Sequence, residues 1–403
     1  MKIKRATPEF IFVLYVFGFA TIRPILLLFK AFSSVIIAAY IAVILLISLF
    51  NDHVFEEKCF IKWAIVSVLF EILLYFGRRE ISATYMVNFF MYGIVALFLL
   101  INVNNYQRVI HWVVKFSCVN GAVLILDPFF SYQLNGGYMP YGFNMLMLSF
   151  TGLLFGYFYY KNRLFFVPMI IELIMISFYG NKGAAIAAIF LFFVAMILSG
   201  SDVKKLFYSL IACLGILSWR SILLLIIDVA QIFGVTSYSI KTLKIMLSDK
   251  SDIVFSARTD IWEKAINWIL EKPILGHKVG EFEAATDVYA HNIFLDISLS
   301  FGLVGLIIFL ILLLHSIYKM RRNPCKEYKL FQLCCLLCWL IPMQISLTLW
   351  NVSLFWVYWG LYLYDNKYKR QKIKSISIDK QYAFSSQKNR KVGTAEAVRK
   401  PNN

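Results

Sequence analysis

Long apolar runs follow one another along this chain, each near the length that crosses a bilayer. A spanning helix needs about 20 mostly apolar residues, because in hydrocarbon its backbone must satisfy its own hydrogen bonds. About twelve runs meet that rule. They are Phe10–Leu28, Phe32–Phe50, Phe60–Phe76, Thr84–Val103, Val109–Leu126, Phe143–Tyr160, Leu164–Tyr179, Ala184–Leu198, Leu206–Val229, Phe294–His315, Leu330–Leu349 and Ser353–Tyr364. Arg23-Pro24 interrupts the first of them, and the last is short. Only 16% of the residues are charged and 60% are hydrophobic. A water-soluble domain, about a quarter charged, is excluded. The expected fold is all-α, a polytopic transmembrane helix bundle of about twelve spans.

The formal net charge of +17 points first to nucleic acid, but basic loops on the cytoplasmic side of a membrane explain it better. The tail after Tyr364 holds eleven Lys and Arg against three Asp and Glu, and no groove-reading motif accompanies it. Lys2–Arg5, Lys161–Arg163, Lys204–Lys205, Lys319–Arg322 and the tail all fall on one side if the span number is even. Both termini are then cytoplasmic. The start MKIKRATPEF has the charge of a signal peptide but no small-residue cleavage site after it, so an uncleaved first span is expected. Only Arg78-Arg79 breaks the pattern by facing outward, where arginine can meet an anionic ligand. The chain thus divides into N-terminal spans (1–228), an extracytoplasmic loop (229–293), C-terminal spans (294–364) and a basic, disordered cytoplasmic tail (365–403).

The outer loop centres on SARTDIWEKAINWILEKPILG. Asp260 with Glu263 three residues on reads as a helix N-cap and its reciprocal partner. Trp262, Ile266 and Ile269 repeat at helical spacing, and Pro273 and Gly276 end the run. A short amphipathic helix lying on the membrane or over the bundle is predicted. Cys334, Cys335 and Cys338 have a metal-like spacing, but no His or carboxylate joins them, so they read as small apolar residues.

Two residues of this region suit glycosyl transfer. Arg258 offers a permanent charge and a fork of donors that matches phosphate oxygens. His291 titrates near neutrality and can take a proton from a hydroxyl. A loop arginine is often only solvated, and an interfacial histidine often only packs. A wider pattern lifts both above that reading. Ser256–Gly305 carries Arg258, Trp262, Pro273, Gly276, then His291-Asn292, Leu295, Gly302 and Gly305. This resembles the signature of the O-antigen polymerase and O-antigen ligase superfamily. The chain departs from it in placing His277-Lys278-Val279 between Gly276 and Gly280. It also has Gly180-Asn181-Lys182-Gly183 where the family carries a small residue followed by Arg-Gly.

The resemblance implies a GT-C-like bundle in the bacterial inner membrane. It implies an enzyme that moves a glycan from undecaprenyl pyrophosphate to a sugar hydroxyl on the outer face. Under it, His291 is the general base or orients the acceptor, and Arg258 is catalytic. Arg258 with Lys182 neutralises the pyrophosphate, Arg78 and Arg79 are weaker candidates for the same task, and Asn292 and Trp262 support the site. A chain-length regulator and a flippase are implied partners, and nucleic acid is not. Ionisable residues inside spans are functional candidates in their own right. Glu71 and Glu172 are counted as supporting residues, beside Arg220 and Lys115. No metal-ligand cluster or phosphate-cradling loop is present, so metal-independent chemistry without a cofactor is expected. A repeat-unit polymerase is the leading reading, and a ligase of the same superfamily is the alternative. A flippase or other transporter would favour an inverted repeat, which is not visible, and a polar path at the midplane, and it would not need a long outer insert with Arg and His. A structural scaffold leaves the Arg258-to-His291 pattern unexplained.

Overall fold

A computed structural model describes residues 6–18, 33–50, 57–130, 137–199, 219–232, 237–247 and 251–365, with isolated positions between them. Among the described residues every regular element is helical. Four helices are long and apolar enough to cross a membrane: Ile81–Ile101, Tyr106–Phe130, Lys182–Ser199 and Ile293–Arg322. Pro8–Phe17, Val35–Phe50 and Leu223–Ile232 are shorter apolar helices. The apolar run ending at Tyr160 is helical from Tyr138 to Tyr159 but is widened at Met145–Phe150 and Phe155–Tyr159. Arg23, the Arg220 side chain, most of the first half of the Leu206–Val229 run and the tail beyond Asp365 lie outside the described residues.

Helix packing buries Trp339, Trp356, Tyr358 and Phe331, while Leu69, Ile72, Ile307, Ile311 and Leu314 point outward and stay exposed. A bundle apolar both inside and out belongs in lipid. Its turns fall at two ends. Arg78 donates its backbone N–H to the Val279 carbonyl at 2.9 Å, which sets the Arg78-Arg79 turn against the long polar insert. At the opposite end Tyr159 donates to Glu327 at 3.0 Å and Asn323 to Asp365 at 2.7 Å. Glu9 there accepts from the Asn104 and Asn105 amides at 3.2 and 3.1 Å.

The insert is more helical than its sequence pattern predicts. Its main helix runs from Ser251 to Glu271, so Asp260 is an interior residue and caps nothing. Residues 251–259 contain neither glycine nor proline, and nothing stops the helix from starting earlier. The packed face also differs from the predicted one. Ile261, Ala265, Trp268 and Ile269 meet Phe282, Ala290, Leu295 and Leu299, while Ile266 is exposed. The helix lies over the start of the Ile293–Arg322 helix. Cys335 and Cys338 are buried and Cys334 half-buried, and among the described residues no three metal-binding side chains converge.

One backbone joint locks insert to bundle. The Ile293–Arg322 helix breaks at Gly302, whose φ of 65° is left-handed. Near the break His277 donates its amide to the Leu299 carbonyl at 2.6 Å. Leu303 donates to the Pro273 carbonyl at 2.8 Å and Val304 to that of Ile274 at 3.3 Å. Insert backbone thus takes over hydrogen bonds that the helix cannot make. The two segments approach so closely that a Cβ on Gly276 would lie 2.4 Å from the Gly302 nitrogen. A Cβ on Gly302 would lie 2.2 Å from the Ile274 oxygen. Gly276 and Gly302, two of the three glycines of the family-like pattern, are therefore required by close backbone approach.

Candidate functional site

The site forms where this joint feeds the Ile293–Arg322 helix. Asn292 caps that helix, its Oδ1 accepting from the Phe294 and Leu295 amides at 2.9 and 3.3 Å. Just before the cap, the Ala290 peptide is held on both sides. Its N–H donates to Asp296 Oδ1 at 3.3 Å, and its carbonyl accepts from Trp262 Nε1 at 3.0 Å. Between these fixed points His291 takes a φ of 54°. That conformation costs a residue other than glycine about 1–3 kcal/mol, and it persists only where surroundings impose it. The His291 ring packs on Tyr289 with centroids 3.9 Å apart. The Tyr289 hydroxyl is in turn tied to Ser346 Oγ at 3.0 Å and accepts from the Leu347 amide at 3.3 Å.

Burial, and then the charge of Arg258, pull the His291 imidazole down to about 4. It is therefore an uncharged ring at neutral pH. Arg258, half-buried on the insert helix, also lies within electrostatic reach of Lys182. Lys182 opens the Lys182–Ser199 helix. The preceding Asn181 fixes that start. Its Oδ1 accepts from Ala184 N at 2.8 Å, and its Nδ2 donates to the Met139 carbonyl at 2.7 Å. Three segments far apart in sequence thus bring Arg258, Lys182 and His291 together. Two clustered cations beside a neutral imidazole can bind a diphosphate and receive a proton from a neighbouring hydroxyl.

The other predicted residues are placed as follows. Trp262 and Asn292 hold the His291 segment, as described. Arg78 and Arg79 are exposed at the same end of the bundle, but the charge that acts on His291 and on Lys182 is that of Arg258. Glu71 is half-buried on the Glu57–Tyr75 helix among Trp63, Ile72, Met86 and Phe90, away from His291. Glu172 is buried mid-bundle, where Ser149 meets its carboxyl. Asn120 beside it donates to the Phe17 and Leu148 carbonyls, both at 2.7 Å. Sequence reasoning missed a small recess beyond Tyr289. Glu283, Asp296 and Thr348 line it. Asp296 gave a readable signal, a carboxylate one turn into an apolar run, whereas Glu283 and Thr348 gave none.

The comparisons with known proteins follow the same region. The family profile described as O-antigen ligase matches residues 144–310, which include Lys182, Arg258 and His291. A Rickettsia conorii protein, provisionally named a polysaccharide ligase, is 28% identical over 123 residues, covering 26% of this chain and 29% of that protein. The match thus spans under a third of that relative's length. No solved structure matches. These two likenesses support the O-antigen ligase and polymerase superfamily for this chain.

Proposed function

We propose that this protein is a glycosyltransferase of the bacterial inner membrane. It moves a glycan from an undecaprenyl pyrophosphate carrier to a sugar hydroxyl on the outer face. The observation that carries this reading is the reach of Arg258, whose charge acts on both His291 and Lys182. In the reaction the acceptor hydroxyl gives its proton to His291 and its oxygen bonds to the anomeric carbon. The bond from that carbon to the pyrophosphate oxygen breaks as this happens. The leaving charge rests on Arg258 and Lys182. An imidazole held near 4 is a weak base by itself. An arriving diphosphate offsets Arg258 and stabilises the imidazolium, so the base strengthens when the donor is bound. Pyrophosphate leaves readily, and the chemistry needs positioning and charge stabilisation, with neither metal nor cofactor.

Within that class we read the chain as a repeat-unit polymerase. A ligase is the second reading, favoured by the word ligase in both likenesses. The topology proposed with it has about twelve spans in a GT-C-like bundle. Residues 229–293 lie outside, and both termini and the basic tail lie in the cytoplasm. A flippase would supply the carrier-linked substrate and a chain-length regulator would act on the product. Deleting the protein in its source strain and running the surface glycan on a gel tests the reading. Loss of the ladder with one repeat unit kept means polymerase, and finished polymer left on its carrier means ligase. An unchanged glycan overturns both.

A further inference from the structure

The recess beyond Tyr289 has the chemistry of a sugar subsite and the wrong charge for a diphosphate. Glu283 and Asp296 line it together with Tyr85, Tyr289, Thr348 and Trp350. Carboxylate oxygens accept from sugar hydroxyls, and aromatic faces cover the C–H face of a pyranose ring. Tyr85 and Trp350 stack on each other with centroids 5.7 Å apart and form a wall of the recess. The Tyr85 hydroxyl donates to Glu283, which fixes that carboxylate's direction. Asp296 Oδ1 is taken by the Ala290 amide. Thr348 adds an independent sign of a ligand. It is only 7% exposed, and its Oγ1 has no hydrogen-bond partner among the described residues. Leaving a buried hydroxyl without a partner is unfavourable, and a bound hydroxyl would relieve that cost. Lys278 also reaches the lining, on an exposed turn where its charge is screened by solvent.

We propose that this recess holds a sugar of the acceptor glycan, on the side of Tyr289 away from the Arg258 and Lys182 pair. The inference rests on the glycosyltransferase reading above. Glu283 repels the carrier's diphosphate and leaves it to the cations, which favours the acceptor over the donor in the recess. A neutral sugar or an amino sugar suits the lining, and an acidic sugar does not. The ring of His291 lies against Tyr289, which places the base next to the seated sugar.

The test uses the full-length protein purified in detergent and two probes. One is the repeat-unit oligosaccharide released from the source strain's carrier by mild acid, and the other is the intact carrier-linked unit. Binding is measured calorimetrically for wild type, Glu283→Gln and Thr348→Val. The account expects Glu283→Gln to weaken the released oligosaccharide about tenfold and Thr348→Val about threefold to tenfold, with the carrier-linked probe changed less than twofold. Thr348→Val keeps shape, so it decides the matter if Glu283→Gln does not fold. Unchanged affinity for the oligosaccharide in Thr348→Val overturns the proposal. Equal weakening of both probes also overturns it, by giving the recess to the donor's own sugar. Normal oligosaccharide binding in the variants, with transfer lost in His291→Ala, removes the subsite alone. Normal transfer in His291→Ala removes the base and leaves the subsite to be judged by binding.

Discussion

The two ends of the bundle both carry cations, but they treat them differently. At the end away from the insert, cations lie over aromatic rings. Lys319 sits 4.7 Å from the Tyr362 centroid, Arg322 4.5 Å from that of Tyr318 and Lys326 5.9 Å from that of Tyr159. Each gains a modest cation–π attraction and anchors its helix near the membrane surface. At the insert end, Arg258 and Lys182 are drawn into each other's field, beside an imidazole kept uncharged. Gathering like charges costs free energy, and a fold retains such a cluster where an anion will repay it. The first arrangement holds a helix, and the second is the one that the proposed function assigns to a substrate.

The strongest way to break this contrast is to spoil the joint that builds the insert end. Gly302→Ala forces a left-handed backbone onto alanine and drives its Cβ toward the Ile274 carbonyl. It should cost about 1–3 kcal/mol from backbone strain alone and more from the clash. A lower melting temperature and reduced membrane level would show it. Next in size is Arg258→Ala, which should cut transfer about 10²–10³-fold, in line with losing one charge-stabilising donor, and should weaken carrier binding. Arg258→Lys keeps the charge without the fork and should fall between. A smaller effect sharpens the electrostatics. Followed by nitrogen NMR, wild-type His291 should stay neutral as pH falls from 7 and protonate only near 4. Arg258→Gln should move that titration upward but leave it below the usual value near 6.5, because burial is the larger cause. Smallest of all, Lys326→Gln at the opposite end should change transfer less than twofold, since a surface cation–π contact is worth about 0.5–1 kcal/mol and touches no substrate.

The apolar runs made the all-helical membrane character legible, and the alternation of basic turns put Arg78-Arg79 at the insert's end. The widened turns at Met145–Phe150 were not legible, because an extra residue in a helix leaves an all-apolar run just as apolar. The helix start at Ser251 was missed because Asp260 and Glu263 carry a capping pattern that also fits the middle of a helix. Arg258 and His291 could be paired only through a family-like motif, since distance along the chain says nothing of the joint at Gly276 and Gly302. The recess was hidden for a related reason. Tyr85, Glu283 and Thr348 come from three separate segments, and each alone is an ordinary polar residue.

The central claim is that His291 takes the acceptor's proton while Arg258 and Lys182 hold the leaving pyrophosphate. The most direct measurement is single-turnover transfer by purified His291→Ala on carrier-linked repeat units, with carrier binding measured on the same preparation. The account predicts turnover lowered by about 10²–10⁴ with carrier affinity nearly unchanged. Transfer at the wild-type rate by well-folded His291→Ala would contradict it, leaving His291 as a strained packing residue at the mouth of its helix.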